Sequence, residues 1–377
     1  MINVGILSMQ RIANYGSFLQ AYGLKKILEE LGCKVQFVDY HPGKTLMPAN
    51  EGSGFSRKIK KAVEAFGYKA PLREKIRFIR YKKNYASNYY PYLGINEKMN
   101  YAPKVDLLVI GSDEVFNCVQ NNTNVGFSPE LFGKNSNAER LISYAASFGN
   151  TTIEKLEKYK VASIVKKMLN CFDELSVRDE NSRCIVEKLV GRKPSLHLDP
   201  VLIYDFVGKC DSIPKKIPED KYMILYGYSG RFSKEECQEI KKYARENGLK
   251  VFCIGGVQEV CDKFINCNPF QVIAYFQHAE CIVTDTFHGT ILSIITQKKF
   301  VSVVRVNGYG NSEKMLDLLN RIGLNERVLD NFGNMSSLLN EKIDFFKVNN
   351  IINEERERSY RYLKCQIEYL SNNDGLC

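Results

Sequence analysis

The chain of 377 residues contains no tryptophan and only four histidines, and its 11 prolines and 26 glycines are too few for a low-complexity or collagen-like protein. No apolar run reaches the length of a membrane span. The first, MINVGILSMQ, breaks at Gln10 and Arg11 and lacks the basic stretch of a secretory signal, so it is read as an opening β-strand. The 12 cysteines form no C-x-x-C pair and have no histidine at zinc-finger spacing, which excludes a structural zinc of that kind. Several, such as Cys253 and Cys281, sit inside apolar runs as small hydrophobes, so a reducing, cytoplasmic setting is expected. Neither G-x-G-x-x-G nor G-x-x-x-x-G-K-[ST] occurs, there is no G-x-S-x-G elbow, and no zinc-finger, RNP or zipper signature accompanies the charge. No cofactor, no metal and no nucleic-acid partner are expected.

What remains is an enzyme-sized chain of ordinary globular composition, 44% apolar and 25% charged, with 22 tyrosines and 21 phenylalanines for packing or ring stacking. Its net charge of +10 is unevenly spread: residues 57–83 carry eleven Lys and Arg against Glu64 and Glu74. In that stretch Ile59, Ala62, Val63 and Phe66, then Leu72, Ile76 and Ile79, recur at three and four, which predicts two basic amphipathic helices broken near Gly67 and Pro71. Helices of this kind lie on anionic membrane surfaces, making the protein peripheral at the inner face of the plasma membrane. The same pattern describes two helices docked on the core with their basic face in water.

Elsewhere the pattern alternates between periods of two and 3.6. Apolar runs at 5–9, 35–40, 106–113, 141–148, 174–179 and 195–200 read as strands with helices between them, and 222–228, 251–255, 281–285 and 300–305 repeat the grammar. The predicted fold class is α/β, two Rossmann-like domains facing a cleft. The first spans 1–205 with a basic helical insertion at 55–90, and the second spans 220–330 beyond the linker CDSIPKKIPEDK. A terminal helix over 350–372 is expected to dock on the first domain.

In open α/β sheets ligands bind beyond the carboxyl ends of the strands, so the residues that follow each strand are the candidates. After the first strand Asn14, Gly16 and Ser17 offer backbone approach and a cap for the next helix, although an ordinary βα loop has the same residues. Gly111, Ser112, Asp113 and Glu114 follow the central strand, where carboxylates serve either chemistry or helix capping. Arg178 ends another strand; a guanidinium there suits a phosphate or carboxylate, or a salt bridge to Asp179 or Glu180. The sharpest candidate is Thr284–Thr290. It places His288 at a helix start, where imidazole is poised for proton transfer and the Gly289 and Thr290 amides are placed to hold an anion.

Taken together, NYGSFLQAY (14–22), VIGSDEVFN (109–117), YAASFG (144–149), SVRD (176–179), LDP (198–200), TDTFHGT (284–290) and NSEKMLDLL (311–319) resemble the polysaccharide pyruvyl transferase family. The resemblance implies a GT-B-like fold and transfer of the enolpyruvyl group of phosphoenolpyruvate onto two hydroxyls of a sugar in a cell-surface polysaccharide precursor. The product is a cyclic ketal, phosphate leaves, and the acceptor is expected on a lipid carrier. It further implies His288 as general acid or phosphate contact, Asp113 or Asp285 as proton acceptor, and Arg178 and Lys314 as anion ligands. Family members often carry Arg just before the apolar residue and the His; this chain has Thr286-Phe287-His288, and Arg305 is the substitute offered by the next strand. Two other functions fit the same architecture: a sugar-nucleotide glycosyltransferase, and a non-catalytic protein of envelope assembly.

Overall fold

A computed structural model describes residues 1–47, 67–305 and 312–373. The expected helix around Ile59–Phe66 lies outside the described residues. The first half builds a parallel six-stranded sheet of order β2-β1-β3-β4-β5-β6 from β1 (Asn3–Leu7), β2 (Lys34–Phe37), β3 (Leu107–Asp113), β4 (Arg140–Ala146), β5 (Ser176–Val177) and β6 (Ser195–Leu196). The second half builds another of order β12-β11-β10-β7-β8-β9 from β7 (Tyr222–Tyr226), β8 (Lys250–Ile254), β9 (Lys263–Phe264), β10 (Ile282–Thr284), β11 (Phe300–Val303) and β12 (Val328–Leu329). Strand β3 is buried along its whole length, as its unbroken apolar run requires of a central strand covered on both faces. The two-residue strands β9 and β12 have no such run and were not predicted.

Each sheet reverses its winding once, between β1 and β3 in the first and between β7 and β10 in the second. Loops leaving neighbouring strands in opposite directions open a crevice at such a switch point. The helices that matter to the two crevices are α1 (Tyr15–Glu30), α2 (Leu72–Leu93), α3 (Glu180–Val190), α4 (Pro200–Ile203), α5 (Phe287–Ile295), α6 (Ser312–Arg321) and α7 (Phe345–Asn373). The single helix predicted over 154–171 is two, because Lys160 adopts a left-handed φ of 55° between Ile153–Lys158 and Ala162–Leu169. From α7, Tyr362 donates to the Ser143 carbonyl at 2.9 Å and Arg356 to that of Ile203 at 2.6 Å, which lays the helix along the first sheet's half.

Helix α2 starts after Pro71 and runs on to Leu93 because tyrosines at every fourth position, 81, 85 and 89, continue its buried face. Its hydroxyls and carboxylate tie it to both halves. Tyr85 donates to the Asn14 carbonyl at 2.8 Å and Tyr90 to that of Arg11 at 2.5 Å, while Tyr89 donates to the Cys267 carbonyl at 2.9 Å and Glu74 accepts from the Phe264 amide at 2.7 Å. No helix among the described residues is long and apolar enough to cross a membrane, and all eleven of their cysteines are free.

Candidate active site

The two switch points face each other, and the residues leaving β1, β3, β7 and β10 enclose a cavity of about 210 Å³. Asn14, Ser17, Asp113, Glu114, Tyr228, Phe287, His288 and Lys314 line it, joined by Lys82 from α2. Of the residues singled out from sequence, Asn14, Ser17, Asp113, Glu114, His288 and Lys314 stand in this wall.

The cap of α1 is Asn14 rather than Ser17: its Oδ1 accepts from the Gly16 amide at 2.7 Å, and its Nδ2 donates across the cleft to the Tyr228 hydroxyl at 3.0 Å. Ser17, freed from capping, donates to Asp113 Oδ2 at 2.8 Å. Gly16 lies under the catalytic candidate: a Cβ built on it would sit 2.2 Å from His288 Cγ and Nδ1, so only glycine lets the imidazole seat there. Gly111 is needed for a different closeness, its φ of 130° and a would-be Cβ 2.2 Å from the Tyr144 carbonyl oxygen belonging to the β3–β4 contact.

Asp113 closes β3 with a left-handed φ of 73° and accepts from the Glu114 amide at 2.9 Å. No helix follows that Glu114 would cap. It instead accepts from Asn117 at 2.8 Å and pairs with Lys314 of α6, joining the two halves. Burial opposes its ionisation, but the Lys314 charge and hydrogen bond outweigh that and hold the carboxyl below its ordinary range.

Arg178 pairs with neither Asp179 nor Glu180. Asp179 caps α3 by accepting from the Ser182 amide at 2.8 Å, and Glu180 pairs with Arg183. Because β5 and β6 are parallel neighbours, their ends lie side by side, and Arg178 Nη1 donates to Asp199 Oδ2 at 2.6 Å with Nη2 3.8 Å from Asp113 Oδ1. The guanidinium stacks 4.4 Å over the Phe287 ring, and its Nε and Nη2 have no hydrogen-bond partner among the described residues. It stands behind the cavity wall rather than in it.

Asp199 is the residue that organises the site. It caps α4 through the Val201 amide at 3.0 Å, accepts from Ser112 Oγ at 3.3 Å, and faces His288 Nε2 at 3.5 Å. Its side chain is 0% exposed, so burial works to raise its pKa; His288 and Arg178 overcome this and hold it well below the carboxylate range. His288 Nε2 is itself buried without a hydrogen-bond partner among the described residues. At 3.5 Å from Asp199, Nε2 is the inward edge of the ring, and the exposed part of the side chain faces the cavity.

The Gly289 and Thr290 amides do not serve an anion. Thr286 caps α5 by accepting from Gly289 N at 3.0 Å, and Thr290 N donates to the Thr286 carbonyl at 3.1 Å. The open donors of that first turn belong to Phe287 and His288. Asp285 and Arg305 also lie outside the wall. Asp285 Oδ2 stands 3.5 Å from both Arg231 Nη1 and Arg305 Nε, and Arg305 Nη1 is 2.5 Å from Glu236. Burial raises the pKa of Asp285 against these cations.

Sequence reading missed Asp199, Tyr228 and Lys82 as site residues. Lys82 Nζ donates to the Ala13 carbonyl at 2.5 Å, and desolvation by the surrounding protein pushes its pKa down to about 8 although the residue is exposed. Its one signal was position: it follows the first tyrosine of the 81-85-89 stripe. No group of His, Cys, Asp and Glu among the described residues is arranged to hold a metal ion.

Residues 14–306 match the family described as polysaccharide pyruvyl transferase. No curated protein matches the chain. Solved structures similar to it include Arabidopsis thaliana UGT89C1 complexed with UDP-L-rhamnose, at 8% identity over 97% of this chain and 98% of that one, TM-score 0.48. An O-GlcNAc transferase mutant of Thermobaculum terrenum is 10% identical over 98% and 67%, TM-score 0.43. The E. coli heptosyltransferase WaaC with ADP-2-deoxy-2-fluoro heptose is 12% identical over 82% and 91%, TM-score 0.36. Two parallel six-stranded sheets with their switch points facing make the GT-B-like arrangement anticipated from sequence.

Proposed function

Since the chain belongs to the polysaccharide pyruvyl transferase family, we propose that it moves the enolpyruvyl group of phosphoenolpyruvate onto two hydroxyls of a sugar in a polysaccharide precursor, with His288 as the proton donor. One observation carries this reading: the half-buried His288 imidazole stands in the wall of a cavity that also holds Lys82 and Lys314, with its inward Nε2 backed by the fully buried Asp199 carboxylate. A carboxylate so placed fixes the orientation of the ring, as a proton-transferring imidazole requires.

The donor carries a phosphate and a carboxylate. Lys82, Lys314 and the Phe287 and His288 amides offer the charge and N–H groups that such a ligand requires, and the unspent Nε and Nη2 of Arg178 stand behind them. With these cations in place, the family's Arg missing before Phe287 needs no replacement by Arg305, whose partners are Glu236 and Asp285.

In the reaction His288 gives its proton to the methylene carbon, and the adjoining carbon becomes oxocarbenium-like. The first sugar hydroxyl attacks that carbon, and the second closes the ketal as the C–O bond to phosphate breaks. Of the two hydroxyl protons, one restores His288 and the other leaves with phosphate. Asp113, already accepting from Ser17 at 2.8 Å, is a carboxylate in the wall suited to relay the second hydroxyl proton to the departing phosphate.

Calorimetric titration tests the reading. Phosphoenolpyruvate should give saturable heat and UDP-glucose none. Binding of the nucleotide sugar without phosphoenolpyruvate would assign a glycosyltransferase, and no heat with either would assign a protein without the chemistry.

A further inference from the structure

The core-docked reading of α2 places Leu72, Ile76 and Ile79 against the protein, and the structure does the opposite. These three are 64%, 42% and 39% exposed, whereas Tyr81, Tyr85 and Tyr89 form the docked face. Leu72, Ile76, Ile79 and Lys83 follow one another at helical spacings of four, three and four, and so share a single outward stripe opposite the tyrosines. Exposed Arg73 and Arg80 flank it, with exposed Lys69 just before the helix. The helix contributes one carboxylate, Glu74, and that one is turned inward, 4% exposed and bonded to the Phe264 amide. The outer face is therefore apolar along its axis and cationic at its edges, on a helix held rigidly by its tyrosine hydroxyls.

We propose that this face of α2 seats the protein on an anionic membrane surface. An apolar stripe on the water-facing side of the helix lacks favourable burial that an acyl boundary supplies, and flanking Arg and Lys match the charge of anionic headgroups. A soluble polyanion satisfies the cations alone and leaves the stripe in water. Three residues beyond Ile79, Lys82 reaches the cavity wall, so one helix carries both the docking stripe and part of the site. That an acceptor on a lipid carrier would then meet the cleft rests on the proposed function; the docking does not.

The test is co-sedimentation of the full chain with phosphatidylglycerol vesicles, with phosphatidylcholine vesicles and without lipid, at low and high salt. The wild type should pellet only with phosphatidylglycerol. Replacing Arg73, Arg80 and Lys83 together by Gln should lower partitioning roughly tenfold or more at low salt. A second variant, Leu72→Ser with Ile76→Ser and Ile79→Ser, should lose the fraction that survives high salt. Circular dichroism and phosphoenolpyruvate titration should stay as in the wild type for both, since none of the six residues lines the cavity. A wild type that stays in the supernatant overturns the proposal, as does either variant pelleting like the wild type. Loss of a dimer on size exclusion in the serine variant, with vesicle binding intact, would assign the stripe to a second copy and also overturn it.

Discussion

His288 Nε2 and Asp199 Oδ2 face each other at 3.5 Å from opposite halves of the chain, one at the start of α5 beyond β10, the other at the cap of α4 beyond β6. The carboxylate that polarises the proposed acid is thus set in place by the first sheet, and the acid by the second. Asp199→Asn keeps the shape and removes the carboxylate that backs the proposed acid, and turnover should fall roughly tenfold or more while donor binding changes less. Steady-state kinetics at one pH distinguish this from a uniform loss of affinity.

The same carboxylate sets an acid limb of stability. Its pKa is depressed in the folded chain, so its contribution is fully present above the ordinary carboxylate range and lost as pH falls through the range toward its depressed value. Urea midpoints followed from about pH 7 down to about pH 3 should drop less steeply in Asp199→Asn than in the wild type.

Gly16→Ala places a methyl group where the His288 ring now sits, 2.2 Å from two of its atoms. The ring must move. A displacement of about 1 Å at a reacting group costs on the order of 10²-fold, so turnover should fall by that much with a thermal midpoint close to wild type. Kinetics and a melting curve on one preparation check both halves of this expectation.

Lys82 loses its proton as pH passes about 8. Its charge in the cavity wall is present below that value and gone above it, so KM for an anionic donor should rise through this range. In Lys82→Arg the charge persists and the rise should disappear. Donor KM measured from about pH 7 to about pH 10 decides it.

Much of this site could be read from the chain because a parallel strand buried on both faces leaves its polar residues at its carboxyl end. Asn14 and Ser17, Asp113 and His288 all follow apolar runs, and all reach the cavity. Partners were less legible than positions. Arg178 has two acidic neighbours in sequence yet takes Asp199, because the pairing of β5 with β6 brings a residue 21 positions on to its side. Gly289 and Thr290 were read as free amides, but Thr286, a residue type that favours N-caps, takes the first with its side chain and the second with its carbonyl. Lys82 looked like one charge among eleven; only the course of α2 over the loop after β1 brings it to the Ala13 carbonyl. The two-residue strands β9 and β12 are too short to carry a period at all.

Tyr85 and Tyr89 each donate to a carbonyl that has a second donor. The Asn14 carbonyl bonded by Tyr85 also accepts from the Phe18 amide at 3.1 Å, and the Cys267 carbonyl bonded by Tyr89 also accepts from Tyr15 at 2.7 Å. Tyr85→Phe and Tyr89→Phe should therefore each cost about 1 kcal/mol or less, since neither acceptor is left without a partner. Chemical denaturation of the two variants side by side checks this; a loss of several kcal/mol in either would contradict it.

The central claim, that His288 transfers a proton in a phosphoenolpyruvate-dependent reaction on a sugar, is met most directly by acceptor-dependent phosphate release from phosphoenolpyruvate, followed for wild type and His288→Ala over a panel of lipid-linked and nucleotide-linked glycans. The wild type should release phosphate and leave a pyruvyl ketal on one acceptor, and the variant, folded as judged by circular dichroism, should be slower by roughly 10²-fold or more. Wild-type turnover in His288→Ala, or consumption of a sugar nucleotide while phosphoenolpyruvate remains untouched, would contradict it.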